Sequence, residues 1–186
     1  MALPPNAKRV FKGVIFDVYQ WKQKMFDGSF KTFEMLKRPN SILVIPTMDG
    51  KILLANEEQP HKGRFLELFG GRHEEGEEPL DGAKRELLEE SGLTSEDWEL
   101  WKTHEPNSKI DSHIFVFLAR DCSKTADPHL DPGERIETLA LTFPEFLEMA
   151  KNDAFTDKEV RLDLYRMLCE PNLAEGFRRK MFPRQK

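Results

Sequence analysis

The apolar positions first fall into a strand pattern. Over residues 10–38, Val14, Phe16 and Val18 alternate with Ile15, Asp17 and Tyr19, and residues 30–36 are again rich in aromatic and apolar side chains. Asp27-Gly28 between the two runs is a hairpin signal, so the chain is expected to open with an antiparallel β-meander. Arg38-Pro39-Asn40 marks a turn and a boundary. Residues 41–46 and 52–55 then flank Asp49-Gly50, which predicts a second hairpin that belongs to the core. A short strand over 65–69 runs into Gly70-Gly71, where two glycines permit a tight turn and a close backbone approach. Residues 98–102, 114–119 and 136–141 read as further strands, the middle one as a continuous apolar run of the kind buried on both faces.

Three stretches carry helical spacing. Glu78-Pro79 reads as a helix start, because proline at the first helical position loses no hydrogen bond, and Gly92 suits the end, which places a helix over about 79–90. Leu80, Ala83 and Leu87 form its apolar stripe. Thr142 with Glu145, and Thr156 with Glu159, have capping-box spacing, so helices are expected to open at both. After the second of these, Val160, Leu164, Met167 and Leu168 line one core-facing side. The tail beyond Pro171 carries Arg178, Arg179, Lys180, Arg184 and Lys186 and is expected to be a solvated terminus.

Composition narrows the function classes. With 186 residues the chain has room for one domain and a small extension. A formal charge of −5 and a pI near 5.6 argue against a nucleic-acid partner, which draws on a basic footprint. Cys122 and Cys169 lie far apart without metal-ligand spacing and read as reduced thiols. The N-terminal stretch has no apolar run of secretory or membrane type, so a cytoplasmic protein with no membrane partner is expected.

The helix over 79–90 carries the chemistry. Glu86, Glu89 and Glu90 fall at helical spacings of three and four, within roughly 100° of arc on one face. Glu86 and Glu90 are like charges four residues apart, which costs roughly 0.2–0.5 kcal/mol. Glu89 and Glu90 also sit at the C-terminal end, where the helix dipole disfavours anions. A cluster that weakens its own helix points to a cation, and hard oxygen donors suit Mg²⁺ or Mn²⁺.

These residues stand in a longer pattern: Gly71, Glu77, Arg85-Glu86-Leu87, Glu89-Glu90 and Gly92-Leu93. In spacing and identity this resembles the Nudix hydrolases at every fixed position of their signature. The resemblance implies an α/β class fold, the Nudix α/β/α sandwich with a mixed sheet, here preceded by the N-terminal antiparallel β-meander. It divides the chain into a meander over 1–38, a hydrolase domain over 39–170 and a basic tail over 171–186. It implies a hydrolase acting on a nucleoside diphosphate linked to another moiety. Glu86, Glu89, Glu90 and the carbonyl of Gly70 are then the metal ligands. Arg85 orients the glutamates and Glu77 braces the loop by pairing with it. A general base outside the signature is expected on a late loop, where Glu134 is the candidate, with Glu86 or Glu89 as substitutes.

The order of parts resembles the ADP-ribose pyrophosphatase and nucleotide-sugar branch, with Glu67 in the strand before the signature and Pro106 beyond it. That branch implies a homodimer whose N-terminal sheets exchange, and aromatics such as Trp21, Phe30 or Phe33 are then available to stack on a base, although buried sheet packing is the expectation for each. Where the branch carries Arg-Gln-x-Arg, this chain reads Asn56-Glu57-Glu58-Gln59, and its Glu-x-Pro-Ala-Gly run becomes Glu67-Leu68-Phe69-Gly70-Gly71. Substrate contacts are therefore assigned to Arg72, as a replacement phosphate contact, with Glu67 and Gln59. The alternatives are a diadenosine polyphosphate or nucleoside triphosphate substrate, and a non-catalytic Nudix-fold regulator.

Overall fold

The computed structural model describes residues 2–183. Strands β1 (Lys8–Lys12), β2 (Asp17–Lys24) and β3 (Phe30–Lys37) form the antiparallel meander. The β2–β3 turn spans residues 25–29 and is closed by the Asp27 carboxylate, which accepts from both the backbone and the hydroxyl of Ser29. Trp21 and Phe33 pack on each other, 5.9 Å between ring centroids, but Phe30 is exposed, contrary to the packing expected for it. The meander leaves it at the end of its strand, where no layer covers it.

The second hairpin, β4 (Ser41–Met48) and β5 (Lys51–Gln59), turns through Asp49 and Gly50 alone. Both have positive φ, 51° and 73°, the mirror-image turn that matches strand twist. The strands then part. Strand β6 (Gly63–Glu67) pairs with β5, and β7 (Phe69–Arg72) takes the edge of β4 from Ser41 to Val44. The stretch expected to be one strand followed by a glycine turn is thus two strands broken at Leu68, with both glycines inside β7. Helix α1 (Pro79–Ser91) follows, then β8 (Leu93–Thr94), β9 (Asp97–His104), β10 (Ile110–Asp111), β11 (Ile114–Arg120), β12 (Ser123–Lys124) and β13 (Arg135–Leu141). The central sheet runs β13-β5-β4-β11-β9, with β4 and β11 parallel and the rest antiparallel; β10 extends the N-terminal sheet by pairing with β3.

Strand alternation assigns the two faces of this sheet to two cores. Ile42 and Val44, Leu53 and Ala55, and Phe117 and Ala119 face α1, where they meet Ala83 and Leu87. Ile45, Ile52 and Leu54, with Val116 and Leu118, face the other side. There α2 (Phe143–Glu148), α3 (Lys158–Cys169) and α4 (Pro171–Met181) cover them with Phe146, Val160, Leu164, Met167 and Phe177. This is an α/β/α arrangement, and the unbroken apolar runs of β4 and β11 follow from burial on both faces. Cys122 is buried, Cys169 exposed, and both are free.

Two further expectations are overturned. The chain beyond Pro171 is helix α4, which buries Phe177, Met181 and Phe182 and stacks Phe177 on Trp101 at 4.6 Å. Its charges mask an apolar stripe: Arg178 and Arg179 pair with Glu175, and Lys180 pairs with Glu99. Arg184 and Lys186 lie outside the described residues. Thr156 does not cap a helix either: α3 opens after Asp157, and the Thr156 hydroxyl turns back to the Leu66 carbonyl. The neighbouring Asp157 carboxylate accepts from the Leu68 N–H at 2.7 Å, so the sheet edge takes the hydroxyl that local spacing assigned to the helix and the carboxylate beside it.

The capping box at Thr142 does form, with Thr142 and Glu145 exchanging side-chain to backbone bonds. Thr142→Ala is expected to cost about 1 kcal/mol, lowering the melting temperature by about 2–4 °C in a calorimetric scan.

Candidate active site

Helix α1 starts at Pro79 and stops at Gly92, whose φ of 72° lets its N–H reach the Leu88 carbonyl at 2.8 Å. A Cβ on Gly92 would lie 2.0 Å from the Ala126 carbonyl, so this end of the helix is fixed by the loop that crosses it. The apolar stripe turned to the sheet places Glu86 and Glu90 along the seam between α1 and β7, each only 9% exposed, while Glu89 stays more open.

Both glycines of β7 are required by close approach. A Cβ on Gly71 would fall within 2.6 Å of the Glu86 carboxylate, and one on Gly70 within 2.1 Å of the Ile42 carbonyl. The Gly70 N–H donates to Glu90 Oε2 at 2.8 Å. Thus the strand lays its backbone directly against the two buried carboxylates, which side chains at these positions would prevent.

Arg85 organises the rest. Its Nε and Nη2 grip the two oxygens of Glu77 at 3.0 and 3.2 Å, Nη1 reaches Glu86 at 2.9 Å and Glu89 at 3.1 Å, and Nη2 also meets the Arg72 carbonyl at 3.2 Å. One planar fork therefore ties the loop before α1 to two of its carboxylates. The Arg85 bond holds the Glu77 carboxyl below its ordinary range. Burial acts the other way on the seam: it raises Glu86, against the pull of Arg85, and pushes Glu90 up to about 9 against the stabilising Gly70 N–H.

Glu134 stands in a turn closed by its own N–H to the Asp131 carbonyl at 2.9 Å. Its carboxyl is half-buried and raised, first by that burial and then by the charge of Glu57. The charges of Glu86, Glu134 and Glu57 each raise Glu90 further, so the late loop stands within electrostatic reach of the helix face. Gln59 shares with Glu134 a cleft of about 290 Å³ that Pro60, Pro132 and Arg135 also line. The Gln59 amide donates to Glu57, which in turn hydrogen-bonds Glu67. Burial, then that bond, pushes Glu67 up to about 10. Arg72 is exposed at the end of β7 and makes no ion pair among the described residues.

Glu57 and Asp157 carry no prediction from the sequence. The available signal for Glu57 was strand parity: it follows Leu53 and Ala55 on the α1 face of β5. For Asp157 there was none, since its partner Leu68 is far away in the chain.

A divalent cation suits this donor set. Every donor is a carboxylate or backbone oxygen, and each carboxylate keeps lone pairs free beyond the bond it makes. Among the described residues no three metal-ligating side chains converge as placed, because Glu86 and Glu89 turn to Arg85, and Glu90 to Gly70.

A glycine-backed carboxylate helix with its arginine clamp, on an α/β/α sandwich, defines a class, and comparison with known proteins agrees. The NUDIX domain matches residues 37–164, and the chain belongs to the Nudix family as a pyrophosphohydrolase of that class. It is 28% identical over 149 residues to the ADP-ribose pyrophosphatase of Bacillus subtilis (strain 168), covering 78% of this chain and 80% of that protein. It is 27% identical over 159 residues to the methanol dehydrogenase activator of Bacillus methanolicus, covering 83% and 85% respectively. A crystal structure of an ADP compounds hydrolase superposes with a TM-score of 0.73 at 20% identity, over 90% of this chain and 94% of that one.

Proposed function

We propose that this protein hydrolyses the pyrophosphate bond of ADP-ribose or a related nucleotide sugar, using Mg²⁺ or Mn²⁺. The observation that carries the reading is the seam of Glu86 and Glu90 on the glycine backbone of β7, clamped by Arg85. Glu86, Glu89, Glu90 and the Gly70 backbone would hold the cation, which when bound would offset the charge of the diphosphate and lower the pKa of a water. Glu134 is the base that would take a proton from the attacking water, a task favoured by a carboxyl raised through burial. Arg72, exposed and without an ion pair among the described residues, meets a phosphate oxygen; Gln59, which lines the cleft beside Glu134, and Glu67, linked to it through Glu57, meet the sugar.

The similarity to an ADP-ribose pyrophosphatase, joined to this site, supports the substrate class. The N-terminal sheet, residues 1–38, supports a homodimer in which it packs or exchanges against a second copy, because Val10, Phe11, Val14, Phe26 and Phe30 are exposed on or beside it. Residues 39–170 are then the hydrolase unit. We place the protein in the cytoplasm; among the described residues no helix is long and apolar enough to cross a membrane.

A substrate panel with analysis of the released phosphates tests the reading. AMP and ribose 5-phosphate from ADP-ribose are expected; turnover confined to dinucleoside polyphosphates or nucleoside triphosphates refutes the substrate. In the same assay Glu134→Gln is expected to lower kcat about 10²-fold with KM little changed. The activator relative favours one second reading, a regulator that binds without turnover, and the intact carboxylate set weighs against it.

A further inference from the structure

Glu57 is 2% exposed, the most deeply buried carboxylate among the described residues. It lies on the face of β5 that Leu53 and Ala55 turn toward α1, two residues before Gln59, which lines the cleft. The register of β5 with β6 sets Glu57 opposite Phe65 and Ala55 opposite Glu67, which puts both carboxyls on that same face. On the other edge of β5, Ile136 sits opposite Glu57, and Glu134 is two residues further back.

No cationic side chain pairs with Glu57 among the described residues. Its partners are the Gln59 amide and the carboxyl of Glu67. Two carboxyls hydrogen-bond only when one of them carries a proton, and Glu67, pushed up to about 10 by burial and then by this bond, is the donor. The negative charge of the pair is then felt at Glu90 and at Glu134. A buried charge without a cation is costly, and a strand position of this kind accepts glutamine or an apolar residue at lower cost.

We infer that Glu57 is a positioning residue of the cation site: Gln59 and Glu67 hold its carboxylate toward Glu90 and Glu134, where its charge strengthens the grip of the α1 carboxylates on a divalent cation. The inference rests on the proposed hydrolase reading and deepens it. The role belongs to the charge at position 57 and not to the hydrogen bonds of the pair. Glutamine at 67 donates to Glu57 as the protonated Glu67 does, whereas glutamine at 57 keeps the shape and removes the charge.

Titration of the full-length protein with Mn²⁺, followed by electron paramagnetic resonance of the free ion and by calorimetry, separates the two. Glu57→Gln is expected to weaken Mn²⁺ binding about tenfold with a melting temperature equal to or above that of the parent. Glu67→Gln is expected to bind within about twofold of the parent, and Glu57→Asp, which keeps the charge, to fall between. Equal Mn²⁺ affinity in Glu57→Gln and the parent overturns the inference, as does an equal loss in Glu57→Gln and Glu67→Gln. A parent that binds Mn²⁺ and loses affinity on Glu57→Gln, yet hydrolyses no ADP-linked compound, refutes the hydrolase reading and leaves this one standing.

Discussion

Glu90→Gln is expected to lower kcat/KM for the cation-dependent hydrolysis by about 10³-fold, at the upper end for removal of one charge-stabilising group, while raising the melting temperature of the metal-free protein. The two effects share a cause. Glu90 is buried against β7, and burial pushes its carboxyl up to about 9 from the ordinary 4.5. Below pH 4.5 the group is protonated whether folded or unfolded, and its burial has no pH-dependent cost. As the pH rises the unfolded chain releases the proton first, so stability falls progressively up to about pH 9. Glutamine removes that loss and still accepts the Gly70 N–H through its amide oxygen. Steady-state kinetics with Mg²⁺ and thermal melts in chelator between pH 5 and 9 check both halves. Unchanged activity would remove Glu90 from the cation site; a lower melting temperature at pH 8 would contradict the burial argument.

Arg85→Ala is expected to have the largest effect on stability, about 2–4 kcal/mol in urea unfolding. It removes the guanidinium that joins Glu77, Glu86, Glu89 and the Arg72 carbonyl, and leaves three neighbouring carboxylates without that cation. Glu77 and Glu86 are each less than one-fifth exposed, so solvent compensates little. The loop before α1 then loses its tie to the helix, and hydrolysis should fall together with stability. Arg85→Lys restores the charge but not the fork, so it is expected to recover part of the stability and little of the rate. Cation titration alongside unfolding distinguishes this from a general loss of structure: added Mn²⁺ should stabilise Arg85→Ala more than the parent, because it neutralises the carboxylates that Arg85 no longer serves.

The elements read well where their signals are local. The two-residue turn at Asp49-Gly50, the start of α1 at Pro79, its end at Gly92 and the capping box at Thr142 all lie where spacing put them. Each is decided by φ preference or by a hydrogen bond within four residues of the chain. Thr156 has the same spacing as Thr142, yet the edge of β6 competes for its hydroxyl and wins. The tail misled through composition: Arg178 and Arg179 are satisfied by Glu175 and Lys180 by Glu99, and the helix they decorate is held by Phe177 and Met181, spaced one turn apart. Gly70 and Gly71 were legible as positions of close approach, but what approaches them is a strand and two glutamates, and the chain does not bend there.

What the sequence by itself determined is the α1 carboxylate face and the arginine beside it. A helix converts spacing into direction within a single element, so Glu86, Glu89 and Glu90 had to share a side. Tertiary structure alone decided what surrounds that face. Glu57, Glu67, Asp157 and Glu134 reach it or one another through the pairing of β5 with β6 and β13 and the return of α3, contacts between residues far apart in the chain. Nothing in local spacing encodes which strand lies beside which, because that choice follows from burying both faces of the sheet at once.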